Sequence, residues 1–404
     1  MTAPKVARPL VSRRIGSVAF SPTVEMSQRA SEMRARGERV LDFSVGEPDQ
    51  DTPTRIAKAA VRALNRGVTR YTPSAGLPEL RAAIAQRYND DYATTYAPEN
   101  AVATDGAKHA LYTVCQCVLN PGDEVIIPAP FWPSFAEAVR LAGAKPVAVH
   151  TSAADGFLVD SRQINRAITA RTRALILNTP SNPTGAVIGG EDLLALGRVA
   201  KRKKLMVLLD DTYAKLMLER QTPVPLAELS RLLGDQLVII GTASKTYCMT
   251  GWRIGWALGA SELVGACATL ISHSTQCPTS FAQAGAVAAL TGSQGFVRSL
   301  EKEFRRRLRI VYPQLISIPD VRCTRPAGGF YVFPNVSAYL GGSVKTSLEL
   351  GLRLLEEEKL AIVPGEGFAA PGFLRMSIAR PVPELTEGVG RLAAFLGRLS
   401  VERG

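Results

Sequence analysis

The chain has 404 residues, 46% of them hydrophobic, and a formal net charge of +12, enough material for a large domain with a buried site and a smaller domain beside it. Six cysteines without a CxxC pair and three histidines without a cluster exclude a disulfide framework and a metal-ligand pattern, and fit reduced thiols in a cytoplasm. No apolar run approaches the length of a membrane span, and basic groups such as "KRKK" at 201–204 and "RRRLR" at 305–309 sit in helical patterns, which reads as solvated helix faces and not as a nucleic-acid surface.

Near the start, "VSRRIGSVAF" (11–20) carries the paired arginines of an export signal, but the polar "SPTVEMSQRASEMRARGE" after it stands where an apolar stretch would be required. It reads as structure, with an Arg-rich organelle presequence as the open alternative. A helix is expected near 23–37, followed by "VLDFSVGEPDQDTP"; the first fifty residues are too few to fold alone and are expected to join a C-terminal lobe. Between about 100 and 260, "DEVIIP", "KPVAVH", "ALILNTP", "LMVLLDD", "LVIIGTAS" and "RIGWALG" alternate with helical stretches, the pattern of an α/β domain with a largely parallel sheet. The last hundred residues read as a separate α+β lobe: a charged helix at 296–312, "GGFYVFPNV", a helix near 345–359, "LAIVPGEGF", "FLRMSIAR" and a terminal helix. The expected division is 1–50 contributing to the small lobe, 51–305 forming the large one, and 306–404 completing the small one.

Several strand patterns end in polar residues, and in open parallel sheets ligands gather at the carboxyl ends of strands. "TDGAK" (104–108) is a glycine-containing turn opening a helix, where backbone N–H groups can receive phosphate, although such turns are common. Lys108 there opposes the helix dipole unless an anion is near. Trp132, between prolines in "PAPFWPSF", is either core or a rigid plate for a flat ring. Asn182 in "NTPSNPTG" is turn chemistry whatever its function. Asp210 and Tyr213 in "DDTY" either cap a helix start or could hold a ring nitrogen and a ring hydroxyl. Lys245 follows "LVIIGTAS", with hydroxyls at Thr242 and Ser244 and a planar fork at Arg253, so an amine and an anion site share one segment. A desolvated lysine beside cations has a lowered pKa and can form a Schiff base; the plain alternative is a surface loop lysine.

"SKTYCMTGWRIGWALG", "NTPSNPTGAV", "DDTY", "VGEPDQDTP", "RYTPSAGLPELR", "GDEVIIPAPFWPSF" and "FLRMSIA" together resemble the fold-type-I, class I aminotransferases that use pyridoxal 5′-phosphate, in the order that family shows and from about residue 13 to 400. The bacterial aspartate and prephenate branch looks most similar. The resemblance implies that Lys245 binds the cofactor as a Schiff base and then carries the proton leaving the substrate α-carbon. It implies that Asp210 pairs with the pyridine nitrogen, that Tyr213 and Asn182 bond the ring hydroxyl, and that Trp132 stacks on the ring. The phosphate would rest on Gly106, Ala107, Thr242, Ser244 and Arg253, with Tyr71 reaching across a dimer interface. Arg375 would clamp the α-carboxylate, helped by Asn182 and the Gly46 N–H, while Lys108 and Thr23 would meet a distal carboxylate.

Three positions depart from the pattern, Gln50, His273 and Cys277, and Asp211 stands where glutamate is common; the first three bear on substrate preference. The expected protein is therefore a cytoplasmic, homodimeric aminotransferase acting on an amino acid and a 2-oxo acid, with aspartate or glutamate as the first choice. The alternatives are a neutral, aromatic or specialised substrate, or β-elimination on the same scaffold. A cofactor-binding DNA regulator would need a module for which residues 1–50 leave no room.

Overall fold

The apolar runs between 100 and 260 become seven strands of one sheet, in the spatial order Ala101–Thr104, Gly255–Leu258, Leu237–Thr242, Met206–Asp210, Thr172–Asn178, Glu124–Ala129, Lys145–His150. The structure, a computed structural model, describes residues 10–219 and 224–401. Leu237–Thr242 is buried along its whole length because helices cover both faces, whereas the edge strand Lys145–His150 is exposed or half-buried throughout. One face packs on Thr54–Asn65, Pro78–Tyr92, Gly190–Lys203 and Ser280–Thr291; the other packs on Ala107–Val118, Pro133–Leu141 and Ser261–Ser272. The sheet departs from the parallel reading at one strand: Gly255–Leu258 runs antiparallel to both neighbours. Residues 243–254 hold only one 3₁₀ turn, Thr250–Trp252, and without a crossover helix the chain returns antiparallel.

A second core collects Leu300, Phe304 and Leu308 from Gly295–Ile316, Leu350 and Leu354 from Ser347–Glu358, and Leu392 and Phe395 from Val382–Val401. The helix Gly295–Ile316 runs unbroken through position 305, where the sequence suggests a boundary. The N-terminal segment closes on this lobe: Leu41–Asp42 pairs in parallel with Leu360–Ala361, and Met26, Ala30 and Met33 of the helix Pro22–Ala35 pack against Leu355 and Ala361. No helix among the described residues is long and apolar enough to cross a membrane.

Arg307 fastens the two ends of the chain together, since it is 4% exposed and donates to both carboxylate oxygens of Asp49, at 2.8 and 2.9 Å, and to Glu303 at 2.9 Å. Asp49 follows the Gly46 turn that reaches the cavity described below. Removing one partner of a buried pair strands the other charge, so Arg307→Ala should lower the unfolding free energy in urea by about 3–5 kcal/mol. Arg307→Lys should recover only part of it, lacking the planar fork. A loss below about 1 kcal/mol for the alanine variant would show that the pair contributes little.

Candidate active site

The carboxyl ends of adjacent strands supply the first polar groups. Asn178 and Asp210 are neighbours in register; Asn178 donates from Nδ2 to the Asp210 carbonyl at 3.1 Å and accepts from the Asn182 N–H at 2.8 Å. A cavity of about 270 Å³ opens there, walled by Asp210, Tyr213, Thr242, Ser244 and Lys245 from the sheet side. Gly46, Thr23 and Arg375 close it from the other lobe, with Ala107, Lys108, Trp132, Asn182 and Arg253 around the mouth. Tyr71 is not brought in, being 84% exposed on its loop.

Lys245 donates from Nζ to the Gly46 carbonyl at 2.6 Å. Burial pushes its ammonium down to about 8; Glu47 works the other way, and Arg253, Arg375 and Lys108 push it further down by like-charge repulsion. Asp210 is 3% exposed, and burial raises its carboxyl to about 6, against the opposing pull of its Thr212 bonds and of Lys245. Two phenols sit above: the Tyr213 and Tyr331 hydroxyls are 3.0 Å apart. Only glycine fits at 46, since a Cβ there would lie 2.4 Å from the Tyr331 hydroxyl oxygen.

At the start of the helix Ala107–Val118, Gly106 has φ +89°, and a Cβ on it would stand 2.5 Å from Arg253 Nη2. Arg253 is held by backbone carbonyls alone: Nη1 donates to Thr250 at 2.8 Å and Nη2 to Asp105 at 3.1 Å. Thr242 Oγ1 is 2.9 Å from both Ser244 Oγ and the Ile254 carbonyl. Because the carbonyl can only accept, the Thr242 proton goes there. The Gly106 N–H is taken by the Thr104 carbonyl at 2.8 Å, contrary to the expectation that it faces an anion, but the start of the helix at Ala107, a guanidinium and a hydroxyl pair converge where an anion is favoured.

Arg375 is 1% exposed, stacks under Tyr331 with 4.5 Å between guanidinium and ring centroid, donates to Asn182 Oδ1 at 3.2 Å and to the Ser44 carbonyl, and leaves Nε without a partner. A buried guanidinium that lines a cavity and has no carboxylate partner among the described residues is a receptor for a planar anion. Lys108 has no carboxylate partner among the described residues. Asp105 instead lies 3.2 Å from His109 Nδ1, and Lys108 Nζ stands 5.2 Å from the Trp132 ring centroid. Partial burial and then Arg253 push its ammonium below the ordinary lysine value. Thr23 is not the helix cap; Ser21 takes that position, and Thr23 Oγ1 is buried without a partner.

These groups fit pyridoxal phosphate: an amine of lowered basicity, a buried carboxyl, a phenol and amide side by side, an indole, and an anion cradle that a Cβ at 106 would fill. Sequence reasoning passed over Tyr331, Asn178 and Thr212, which act through the expected residues. Tyr331 follows the glycine pair in "GGFYVF", which was the available signal. Of the departures, Cys277 accepts from the Thr72 N–H at 3.5 Å and Gln50 Oε1 is buried without a partner. A wider recess of about 950 Å³ adjoins the cavity and shares Lys108 and Arg253 with it.

The profile of the aminotransferase class I and II family matches residues 38–392. The aspartate aminotransferase of Bacillus subtilis is 42% identical over 96% of this chain and 100% of its own length. The aspartate/prephenate aminotransferase of Thermus thermophilus is 38% identical over 96% of this chain and 99% of its own. The solved structure of the Thermus thermophilus aspartate aminotransferase with maleate superposes with a TM-score of 0.91 at 37% identity, covering 96% of this chain and 100% of that one.

The neutral amine is the nucleophile towards an aldehyde, and its fraction grows as pH rises through the pKa. Capture of pyridoxal 5′-phosphate by the cofactor-free protein should therefore accelerate with pH and level off above about 8, whereas an ordinary lysine at 10.5 would level off much later. Borohydride trapping at each pH with peptide mapping reads both the rate and the site. A midpoint near 10, or a label on a lysine other than Lys245, would sink the assignment.

Proposed function

This chain belongs to the class I and II aminotransferases, in the aspartate/prephenate branch, and from that premise we propose that it moves an amino group between a dicarboxylic amino acid and a 2-oxo acid. The enzyme is a pyridoxal-phosphate-dependent transaminase of fold type I. The observation that carries the dicarboxylate reading is the pair of cations lining one cavity, Arg375 and Lys108, neither with a carboxylate partner among the described residues, together with the unpartnered Thr23 hydroxyl in the same lining. Maleate in the Thermus relative is a dicarboxylate, which supports the same reading.

When bound, the cofactor supplies an aldehyde carbon and a cationic ring that draws electrons from the substrate's α-carbon. Asp210 would hold a proton on the ring nitrogen by placing a carboxylate against it. Tyr213 and Asn182 would donate to the ring hydroxyl, and Trp132 would stack on the ring. Ala107, Thr242, Ser244 and Arg253 would hold the phosphate, with Gly106 leaving the space for Arg253 beside it. Arg375, with Asn182 and the Gly46 N–H, receives the substrate's α-carboxylate and orients the Cα–H bond towards Lys245. Lys245 Nζ, in its neutral form, which makes up about half of it near pH 8, takes that proton. Gly46 and Arg375, from the second lobe, wall the cavity on that side and limit the access of water to the step.

Lys108 and Thr23 receive the distal carboxylate. Lys108→Ala should lower kcat/KM for aspartate and glutamate by about 2 kcal/mol or more, roughly 30-fold or beyond, and leave an uncharged amino acid nearly unaffected. Equal loss on all substrates, or a wild type that prefers alanine or an aromatic amino acid to both acidic ones, overturns the dicarboxylate reading.

The working unit is a cytoplasmic homodimer in which the exposed Tyr71 completes the partner's phosphate site. Lys245→Ala and Tyr71→Ala chains should each be impaired, and their mixture should regain activity, because one of the two heterodimer sites then has every wild-type group. No gain on mixing, or a fully active monomer, counts against the shared site.

A further inference from the structure

Behind Asp210, on the far side of the sheet, lies a second, half-buried aspartate whose carboxyl the reaction as described does not use. Side chains alternate along a strand, so Asp210 faces the cavity and Asp211 faces the helix Pro78–Tyr92. There Asp211 Oδ2 accepts from the Tyr88 hydroxyl at 2.7 Å, and the same hydroxyl oxygen accepts from Trp256 Nε1 at 3.1 Å. A hydroxyl has one proton, and the indole can only donate, so the relay has a fixed direction: Trp256 to Tyr88 to Asp211. Tyr88 and Trp256 are each buried, 4% exposed. Gly241 makes room for them, because a Cβ there would lie 2.2 Å from Trp256 Nε1 and 2.6 Å from the Tyr88 hydroxyl oxygen.

The turn after the strand hangs on this pair of aspartates. The Asp211 N–H donates to the Ile240 carbonyl at 3.1 Å, the Thr212 N–H to Asp210 Oδ1 at 2.9 Å, and the Ala214 N–H to the Asp211 carbonyl at 2.7 Å. These bonds run through the backbone of residue 211, so a shift of that backbone, which the side chain's bond to Tyr88 restrains, would carry Asp210 and Tyr213 with it, and both line the cavity. We propose that Asp211, held by the Tyr88 hydroxyl and the Trp256 indole, is the positioning residue for Asp210, fixing its orientation from behind and placing a second carboxylate in support of the cation that Asp210 holds. The inference rests on the assignment of Asp210 to the cofactor's ring nitrogen.

The groups facing Asp211 leave it poised between charge states. Burial pushes its carboxyl up to about 7, the Tyr88 bond opposes this, the neighbouring Asp210 adds to it, and Lys215 pulls it down. Lys215 is itself paired with Asp91 at 2.8 Å, and Tyr92 is the further phenol on that side that senses the Asp211 charge. A carboxyl raised in the folded state favours folding at low pH, and that contribution is lost as pH rises through about 7. At pH 8 the ionised Asp211 therefore costs the cofactor-free protein stability while serving the site.

That opposition separates a positioning role from a structural one. Asp211→Asn keeps the shape and can still accept from Tyr88, but removes the charge. At pH 8 the variant should bind pyridoxal 5′-phosphate about tenfold more weakly and lose about tenfold in kcat, with KM for the amino acid nearly unchanged, because Arg375 and Lys108 are untouched. The thermal midpoint of its cofactor-free form should equal or exceed the wild type at pH 8 and fall back relative to it at pH 5. Tyr88→Phe should lower cofactor affinity and kcat in the same direction. Asp210→Asn is the control: if it keeps wild-type cofactor affinity and kcat, the underlying assignment fails. If Asp210→Asn is impaired while Asp211→Asn and Tyr88→Phe stay within twofold, or lose function only in step with lost thermal stability at pH 8, the positioning role is overturned and the assignment of Asp210 stands.

Discussion

Lys108, Lys245, Arg253 and Arg375 line one small cavity, and holding four cationic side chains so close together is the constraint that the rest of the site answers. Burial and their mutual repulsion lower the ammonium of Lys245 to about 8, so that a neutral fraction exists at a pH where a solvated lysine would be fully charged. Neither guanidinium in the cavity has a carboxylate partner among the described residues. Arg253 leans on two backbone carbonyls; Arg375 leans on the Ser44 carbonyl, the Asn182 amide and two aromatic faces. Carbonyls and rings stabilise a guanidinium without cancelling its charge, so the attraction for phosphate and carboxylate is retained.

The same constraint explains why two lobes are needed. The sheet delivers Asp210, Thr242 and Lys245 from adjacent strand ends, while Gly46, Thr23 and Arg375 come from segments packed on the second core. Lys108, Lys245 and Arg253 belong to the sheet lobe and the buried Arg375 to the second, so the cavity exists only where the two meet. The Asp49–Arg307 pair holds the Gly46 turn in register with that second core, so the carbonyl that meets Lys245 is placed by an ion pair far from the chemistry.

On the opposite face of the sheet the problem is inverted. Two successive aspartates put two carboxyls in dry surroundings, and each is pushed up from its ordinary value by burial. The front one meets Lys245 and Thr212; the rear one meets Tyr88 and, at a distance, Lys215. Tyr88 comes from the helix Pro78–Tyr92 and Trp256 from the antiparallel strand, so the strand that breaks the parallel pattern also supplies the donor at the head of the relay.

The sequence by itself determined the period of its apolar runs, and with it the α/β sheet, the polar strand ends and the amine placed after "LVIIGTAS". Local chemistry is legible where it depends on neighbours along the chain: glycine at 106 before a helix, proline and asparagine in the turn at 182, arginine eight residues after Lys245. Contacts between distant segments were not legible, because periodicity says which face is buried and not what it is buried against. Only the tertiary structure decided that Tyr331 stacks on Arg375 and crowds Gly46, that Lys108 has no partner in Asp105, that Asp211 is held by Tyr88 and Trp256, and that Tyr71 stays outside its own chain's cavity. The contacts of Tyr331 and Asp211 join residues far apart in sequence, and all four outcomes are fixed by the distance and the desolvation that folding imposes, quantities that no residue type carries alone.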